Sequence, residues 1–215
     1  MILNEKYPNS MIKTDDFPQR VIESIRESIA VKERLLGSVE ALATIVCVSE
    51  ILIRALRAGN KLLCFGNGGS AADAQHIAAE FVGRFAFDRP ALPALALSVN
   101  TSCVTAIGND YGFERIFSRQ VEALGKCGDV AIGISTSGNS PNVLRALSVG
   151  RKMGLHTVAF TGRSGGELKG AVDHCICAPS NETPHIQECH ILVGHVIAQL
   201  VEQTIFREQS GVLAS

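Results

Sequence analysis

Residues 61–70 read KLLCFGNGGS, and this stretch decides the fold class. The apolar run 61–65 has the length of a buried strand, and Gly66-Asn-Gly-Gly-Ser70 follows it directly. A helical pattern then continues to about Arg84. The sequence therefore predicts a strand, a glycine-rich turn and a helix in immediate succession, an arrangement typical of α/β proteins.

The same succession recurs along the rest of the chain. Helical patterns separate four further short apolar stretches, and the last helix covers about 183–206. The four predicted strands are 93–98, 129–134, 156–160 and 173–178. Because these strands are apolar on both faces, we predict a three-layer α/β sandwich with a mainly five-stranded parallel sheet. Ligands of such sheets bind at the carboxyl ends of the strands.

The region before the first strand predicts N-terminal helices. We interpret residues 1–15 as a loose arm, 16–60 as a helical extension and 61–208 as the α/β domain, with 16–208 forming one structural unit. The second predicted helix, 39–58, is apolar around much of its circumference, which favours packing against another subunit. Its four charged residues make it too polar for a membrane span.

Composition excludes several classes of function. The 215 residues are 46% hydrophobic and 19% charged, as expected for a globular protein, and the net charge is -1. Because Lys and Arg form no run, we expect no nucleic-acid partner. The N-terminal residues contain no apolar segment typical of a secretion signal, so we expect a cytoplasmic protein without a membrane partner. An anionic ligand must then be held locally by backbone amides and hydroxyls.

The seven cysteines contain no CxxC pair, and reduced thiols are the simplest interpretation. Cys175 and Cys177 lie two apart on a predicted strand, so their side chains share one face and can meet. A short strand without any special role for the thiols explains them better.

Two loops predict an anion site. Gly66-Asn-Gly-Gly-Ser70 precedes a helix, whose free amides and positive dipole end favour an anion, although a tight turn with Ser70 as N-cap explains it too. The loop lacks the lysine of a P-loop and the spacing of a dinucleotide fingerprint. Ser135-Thr-Ser-Gly-Asn-Ser140 places four hydroxyls after another strand, and an N-cap turn accounts for only one of them. These loops indicate a phosphorylated small molecule.

These loops carry a resemblance to a known family. The chain resembles the phosphoheptose isomerases of the sugar isomerase (SIS) family over about residues 20–206. Besides the two loops, the segments that match are Gly83-Arg84, Gly108–Phe113, Phe117–Gln120 and Ile186–Glu188. The resemblance implies the SIS fold. It also implies aldose–ketose isomerisation of D-sedoheptulose 7-phosphate to D-glycero-D-manno-heptose 7-phosphate through an enediol, the first step of bacterial heptose biosynthesis. The heptose would enter lipopolysaccharide, capsule or surface-layer glycans.

The resemblance also assigns a reactive cluster. His76 and Glu80 share one helix face, and Gln187 and His195 lie eight apart on the last helix. Taken singly, a surface His–Glu pair and a core histidine are the more ordinary interpretations. The resemblance implies that all four residues bind one zinc ion per subunit, and that Glu80 and His195 are the catalytic pair, with Glu80 as the carbon base. Because eight helical residues separate Cα atoms by about 12 Å, we expect sites near subunit interfaces of a homo-oligomer, a tetramer in relatives.

Further residues are implied as substrate contacts. Glu80 also belongs to this set. The others are Asn67, Gly68, Gly69, Asn109, Asp110, Ser135, Thr136, Ser137, Ser140 and Gln187. The chain departs from the family at His185, where relatives usually carry arginine, so contacts made by that arginine are in doubt here.

A non-catalytic SIS protein is the chief alternative, namely a sugar-phosphate-binding or regulatory protein of the replication-initiator-associating type. A SIS enzyme for another sugar phosphate, such as an amino sugar, is a further alternative. The presence of both Glu80 and His195 favours the enzyme, and the heptose-type motifs favour the seven-carbon substrate.

Overall fold

A computed structural model describes residues 16–207 and contains one parallel sheet with the strand order β2-β1-β3-β4-β5. The strands are β1 Leu62–Gly66, β2 Ala94–Ala96, β3 Val130–Ser135, β4 His156–Thr161 and β5 His174–Cys177. All four strand pairings are parallel, which confirms the predicted five-stranded parallel sheet. The edge strand β2 is shorter than predicted, because the chain soon turns at Asn100, the N-cap of the next helix.

Within residues 16–207, eight α-helices surround this sheet. They are α1 Phe17–Leu36, α2 Val39–Arg57, α3 Gly69–Val82, α4 Thr101–Tyr111, α5 Ser118–Leu124, α6 Pro141–Lys152, α7 Leu168–Ala171 and α8 Thr183–Glu202. A 3-10 turn, Phe113–Arg115, precedes α5, and a π-helical turn, Gln203–Arg207, follows α8. The short α7 has no counterpart among the predicted helices, because four residues are too few to show a helical period.

Alternate strand residues divide the core into two apolar clusters. Leu62 and Cys64 pack with residues of α1, α2, α3 and α8. Leu63 and Phe65 face the other way and pack with residues of α5 and α6. Burial of both faces accounts for the continuous apolar strands and confirms the three-layer sandwich.

The N-terminal helices share the first cluster with the sheet. From α1, Val31 and Leu35 are buried, whereas Val21, Ile25 and Ile29 are exposed. The larger unpartnered apolar stripe therefore lies on α1, and α2 directs much of its apolar surface into the core. A boundary at residue 60 stays a prediction, since both sides of it contribute to one cluster. The predicted arm 1–15 and residue 208 lie outside the described residues.

In the part of the chain that the structure describes, one segment, Thr183–Phe206, is long and apolar enough to cross a membrane by length and composition alone. The consecutive α1 and α2 pass that test only as a pair bent by 75°. Half of the apolar window of Thr183–Phe206 is buried, and it packs against α2 and α3. Its place in the core therefore accounts for its composition.

The topology creates a crevice where the two candidate loops end. β1 and β3 are neighbours, and the helix after β1 packs on one face of the sheet while the helix after β3 packs on the other. Such a switch in direction leaves an opening at the carboxyl ends of the two strands, which is where ligands of open α/β sheets bind.

Candidate active site

The glycine loop joins β1 to α3 at this crevice. Gly68 adopts φ +54° and is the N-cap of α3, so the alternative assignment of Ser70 as N-cap is wrong. A Cβ on Gly66 would lie 2.8 Å from the Ile134 carbonyl oxygen, so only glycine fits beside β3. The Ser70 and Ala71 amides donate to the carbonyls of Asn67 and Gly68, and no side chain caps the helix. The positive dipole end of α3 therefore favours an anion at this turn.

The serine loop joins β3 to α6 next to it. Ser135 Oγ lies 2.8 Å from Ser140 Oγ and 3.4 Å from Ser137 Oγ, so three hydroxyls gather at one place. Thr136 is fixed through its backbone carbonyl, which accepts from the Gly162 amide at 3.0 Å. Gly138, at φ +69°, lets the loop pass close to Gly165, where a side chain would overlap backbone. The loop therefore offers uncharged hydrogen-bond donors, and its backbone packs closely against the neighbouring loop.

A pair of amide side chains couples the two loops. Asn67 and Asn142 exchange two hydrogen bonds of 2.9 Å each, and Asn142 is 2% exposed. This pair fixes the side chain of Asn67, which was predicted to contact substrate. Sequence reasoning missed Asn142, because an asparagine in the first turn of a helix is ordinary and nothing in the sequence indicates its partner.

Three of the four predicted metal ligands meet in the structure. His76 Nε2 lies 3.0 Å from Glu80 Oε1 and 3.2 Å from His195 Nε2, and Glu80 Oε1 lies 3.9 Å from His195 Nε2. Gly194 allows this meeting of α3 with α8, because a Cβ at that position would be 2.6 Å from Ile77 Cγ1. All three side chains keep some exposure, between 20% for Glu80 and 50% for His76.

The donor set of this cluster fits a divalent metal ion. His76, Glu80 and His195 each offer one ligand atom, and these three atoms all lie within 4.8 Å of one another. Two histidines and a glutamate are a ligand set of catalytic zinc sites, which keep a further position open. Asp73, one turn before His76, has its pKa raised by burial, and among the described residues its Oδ2 has no hydrogen-bond partner.

Gln187 lies apart from this contact. Its side-chain amide packs directly over Gly69, and a Cβ on Gly69 would overlap it. Gly69 is two helical turns before His76, about 10 Å along α3. The structure thus brings His76, Glu80 and His195 together and holds Gln187 at the glycine loop. The role of Gln187 as a metal ligand stays a prediction.

A buried ion pair holds the cluster's two helices together at one end. Both Glu202 and Arg89 have side chains no more than 2% exposed, and Arg89 Nε lies 3.0 Å from Glu202 Oε1. The Arg89 guanidinium also donates to the carbonyls of Glu80 and Phe81, at 2.7 Å each, and so binds the last turn of α3. Sequence reasoning missed this pair, because no spacing relates residues so far apart.

Glu202 is held by more than its partner arginine. Its two oxygens accept from the amides of Phe85 and Ala86, at 2.8 Å each. Burial raises the pKa of Glu202, but these amides and Arg89 together lower it below its ordinary value. The carboxylate is therefore ionised and fully bonded at neutral pH.

The remaining predicted residues lie near the surface or away from the cluster. Asn109 and Asp110 are exposed at the end of α4, and within residues 16–207 their side-chain hydrogen bond is with each other, at 2.8 Å. Asp110 also lines a cavity of about 610 Å³ beside α4 and α5. His185, in the first turn of α8, lies with Nδ1 3.6 Å from Glu188 Oε1 and faces the carboxylate that Lys32 of α1 binds.

Comparison with known proteins supports the same fold. The SIS domain family matches residues 28–162. The phosphoheptose isomerase of Roseiflexus sp. (strain RS-1) is 54% identical over 195 residues, which are 91% of this chain and 98% of that protein. That of Aneurinibacillus thermoaerophilus is 55% identical over 185 residues, 86% of this chain and 93% of the relative.

A solved structure agrees with these sequence relatives. The phosphoheptose isomerase of Neisseria gonorrhoeae is 42% identical and superposes with a TM-score of 0.82, over 87% of this chain and 99% of that one. Each of these three comparisons covers at least 86% of this chain. This chain therefore belongs to the phosphoheptose isomerase family of SIS domain proteins.

Proposed function

We propose that this protein is an aldose–ketose isomerase that converts D-sedoheptulose 7-phosphate to D-glycero-D-manno-heptose 7-phosphate, the first step of heptose biosynthesis. The observation that carries the proposal is the meeting of Glu80 and His195, from two different helices, in a chain whose relatives carry this name. A non-catalytic sugar-phosphate-binding protein has no need for a carboxylate and an imidazole at this separation.

The reaction moves one proton between neighbouring carbons. A base removes a proton from C1 of the ketose, the C2 carbonyl oxygen gains a proton, and an enediol forms. Return of a proton to C2 and loss of the O1 proton then give the aldehyde. We assign Glu80 as the carbon base and His195 as the group that exchanges protons with the oxygens, since a base and an acid must act on adjacent atoms. Their 3.9 Å separation suits adjacent substrate atoms.

The far end of the substrate is held by neutral groups. Ser135, Thr136, Ser137 and Ser140 supply hydroxyls for the phosphate, and the N-terminal end of α3 supplies the positive end of a helix dipole. Asn67, Gly68 and Gly69 line the same crevice. Asn109, Asp110 and Gln187 are proposed as contacts to the sugar hydroxyls.

Zinc is the metal that we propose for the cluster. His76, Glu80 and His195 would hold it, and Gln187, whose side-chain amide lies over Gly69, would be the fourth ligand. Bound there, a divalent ion supplies positive charge that polarises the substrate carbonyl. The fit of two imidazoles and a carboxylate supports this proposal.

A homotetramer is proposed as the working assembly. The exposed stripe of α1, with Val21, Ile25 and Ile29 each more than half exposed, is a large apolar surface for a single chain. Pairing of such stripes between copies would bury them and place sites near subunit interfaces. We also propose that the protein acts in the cytoplasm, where its sugar-phosphate substrate is formed.

Turnover of sedoheptulose 7-phosphate tests the proposed function. The purified protein should produce the heptose phosphate, and Glu80→Gln and His195→Ala should each lower kcat by about 100-fold or more. Glu122→Gln, which changes an exposed glutamate of α5, is the matched control and should keep full activity. Binding of the sugar phosphate without turnover would support the non-catalytic alternative.

Metal analysis tests the cluster separately. The wild-type protein should retain close to one zinc ion per chain after dialysis, and His76→Ala should lose it. His156→Ala, an exposed histidine at the start of β4, should retain it. Equal zinc content in both variants would overturn the assignment of the ligands.

A further inference from the structure

The open edge of the sheet carries two thiols that the isomerase chemistry does not use. Cys175 and Cys177 lie on the same face of β5, and their sulfur atoms are 3.7 Å apart. Sequence spacing left open whether they meet, and the structure brings them together. The Thr161 hydroxyl lies between them, 3.5 Å from Cys175 Sγ and 3.4 Å from Cys177 Sγ, and donates to the Cys177 sulfur.

Both thiols open into a small polar cavity. The cavity has a volume of about 160 Å³ and lies between β5, the first turns of α2 and the loop that leads to α7. Lys169 and Arg163 line it with positive charge, and Glu40 is the acidic residue in its wall. The N-terminal end of the 19-residue helix α2 adds the positive end of a helix dipole.

These surroundings favour a thiolate over a bound metal ion. Two cationic side chains repel a divalent cation, whereas nearby Lys, Arg and helix N-termini stabilise an anionic sulfur. The Cys175 thiol, the Thr161 hydroxyl and Lys169 lower the pKa of Cys177 against the opposing effects of burial and Glu40. The same pairing and burial raise the pKa of Cys175. The two sulfurs are therefore chemically unequal.

We propose that Cys175 and Cys177 form a dithiol site that reacts reversibly with low-molecular-weight disulfides, with Cys177 as the attacking residue and Cys175 as the resolving residue. A reactive thiolate that is accessible and lies next to a second thiol is the arrangement found in redox-sensitive pairs. This inference is independent of the proposed isomerase activity.

The exchange balances in two steps. The Cys177 thiolate attacks one sulfur of the disulfide, forms a mixed disulfide and releases one thiolate of the reagent. Cys175 then loses its proton and attacks Cys177 Sγ, which forms the Cys175–Cys177 disulfide and releases the second thiolate. The protein dithiol is oxidised by two electrons, and the reagent disulfide is reduced to two thiols.

Backbone geometry predicts that the product is easily reduced. Residues two apart on a strand have Cα atoms roughly 6.6–6.8 Å apart, the upper end of the range that a disulfide spans. Since β5 is an edge strand with one neighbour, it can shorten locally to close the bond. A mild thiol should therefore restore both cysteines.

The test uses the reduced full-length chain, oxidised glutathione at neutral pH and peptide mapping by mass spectrometry. Wild-type protein should gain the Cys175–Cys177 disulfide and release two glutathione molecules per chain. Cys175→Ser should accumulate glutathione on Cys177, and Cys177→Ser should yield neither product. Cys127→Ser removes an exposed thiol and is the matched control, which should behave as wild type at β5.

Two results would overturn the proposal. One is modification of Cys127 while Cys175 and Cys177 stay reduced, because exposure alone would then govern reactivity. The other is glutathione on Cys175 in Cys177→Ser as fast as on Cys177 in Cys175→Ser, because the assigned roles require unequal thiols. Cys177→Ala provides a second variant that removes the sulfur without adding a hydroxyl.

Discussion

Replacement of Glu202 by glutamine should destabilise the protein more than any surface charge change. The side chain is 1% exposed, and its two oxygens accept from the Phe85 amide, the Ala86 amide and Arg89. A glutamine of the same shape has a single acceptor oxygen, so at least one backbone donor loses its partner. The Arg89 charge, 2% exposed, would then be left buried without a counter-charge.

The size of the effect follows from these contacts. Loss of one member of a buried ion pair costs about 3–5 kcal/mol, and an unpaired buried donor accounts for about 1–3 kcal/mol of that. For a chain of this length, the loss corresponds to a fall in Tm of about 6–20 °C. Because the folded pKa of Glu202 is lowered, its contribution is present above the unfolded value of about 4.3 and disappears as pH falls through the folded pKa.

Urea unfolding of both proteins at one concentration measures this loss, with the concentration fixed because assembly also affects stability. Glu114→Gln is the control. Glu114 forms an exposed pair with Arg145 at 3.3 Å, and its replacement should cost less than about 1 kcal/mol. Equal losses of unfolding free energy in Glu114→Gln and Glu202→Gln at neutral pH would refute the reasoning. A difference between the two variants that persists at acid pH would refute the assignment of a negative charge to Glu202.

Three further predictions concern the packing around the site. Gly194→Ala should lower Tm despite the better helix propensity of alanine, because the new Cβ would lie 2.6 Å from Ile77 and overpacking costs about 1–3 kcal/mol. An unchanged Tm and unchanged activity of this variant would contradict the prediction. Asn142→Ala should raise KM for the sugar phosphate more than it lowers kcat, since Asn67 loses both of its 2.9 Å bonds; steady-state kinetics on this variant decide it. His190 is 1% exposed, and burial lowers its pKa to about 4. The free energy of unfolding should therefore fall as pH drops from about 6.5 towards that value, and His190→Gln should remove this dependence on pH.

Most of the fold follows from local sequence pattern. Strands such as β1 are short apolar runs followed by glycine or serine loops, and these features are visible without any tertiary information. The exposed stripe of α1 was less predictable, because a helical period shows which residues share a face and leaves open what covers that face. The short α7 and the shortened β2 depend on contacts of neighbouring loops, which no local pattern records.

The site likewise contains some features that the sequence predicts and others that depend on tertiary contacts. His76 and Glu80 share a helix face by spacing alone, but their meeting with His195 depends on how closely Gly194 lets two helices approach. Pairs that join distant segments, such as Asn67 with Asn142, leave no signal in one sequence because their partners are ordinary polar residues. The hydroxyls of the serine loop indicated an anion site without further help, whereas His195 was identified as functional only through the resemblance to a family. Neither source indicated the Asn67–Asn142 pair or the Arg89–Glu202 pair.

Proton exchange at the sugar carbon tests the central role of Glu80 most directly. Sedoheptulose 7-phosphate incubated with the protein in heavy water should exchange one of its two C1 hydrogens for deuterium, and proton NMR follows this exchange without a coupled assay. Glu80→Gln should slow this exchange by about 100-fold or more, while Glu122→Gln leaves it unchanged. Exchange by Glu80→Gln at the wild-type rate would contradict the assignment of the carbon base.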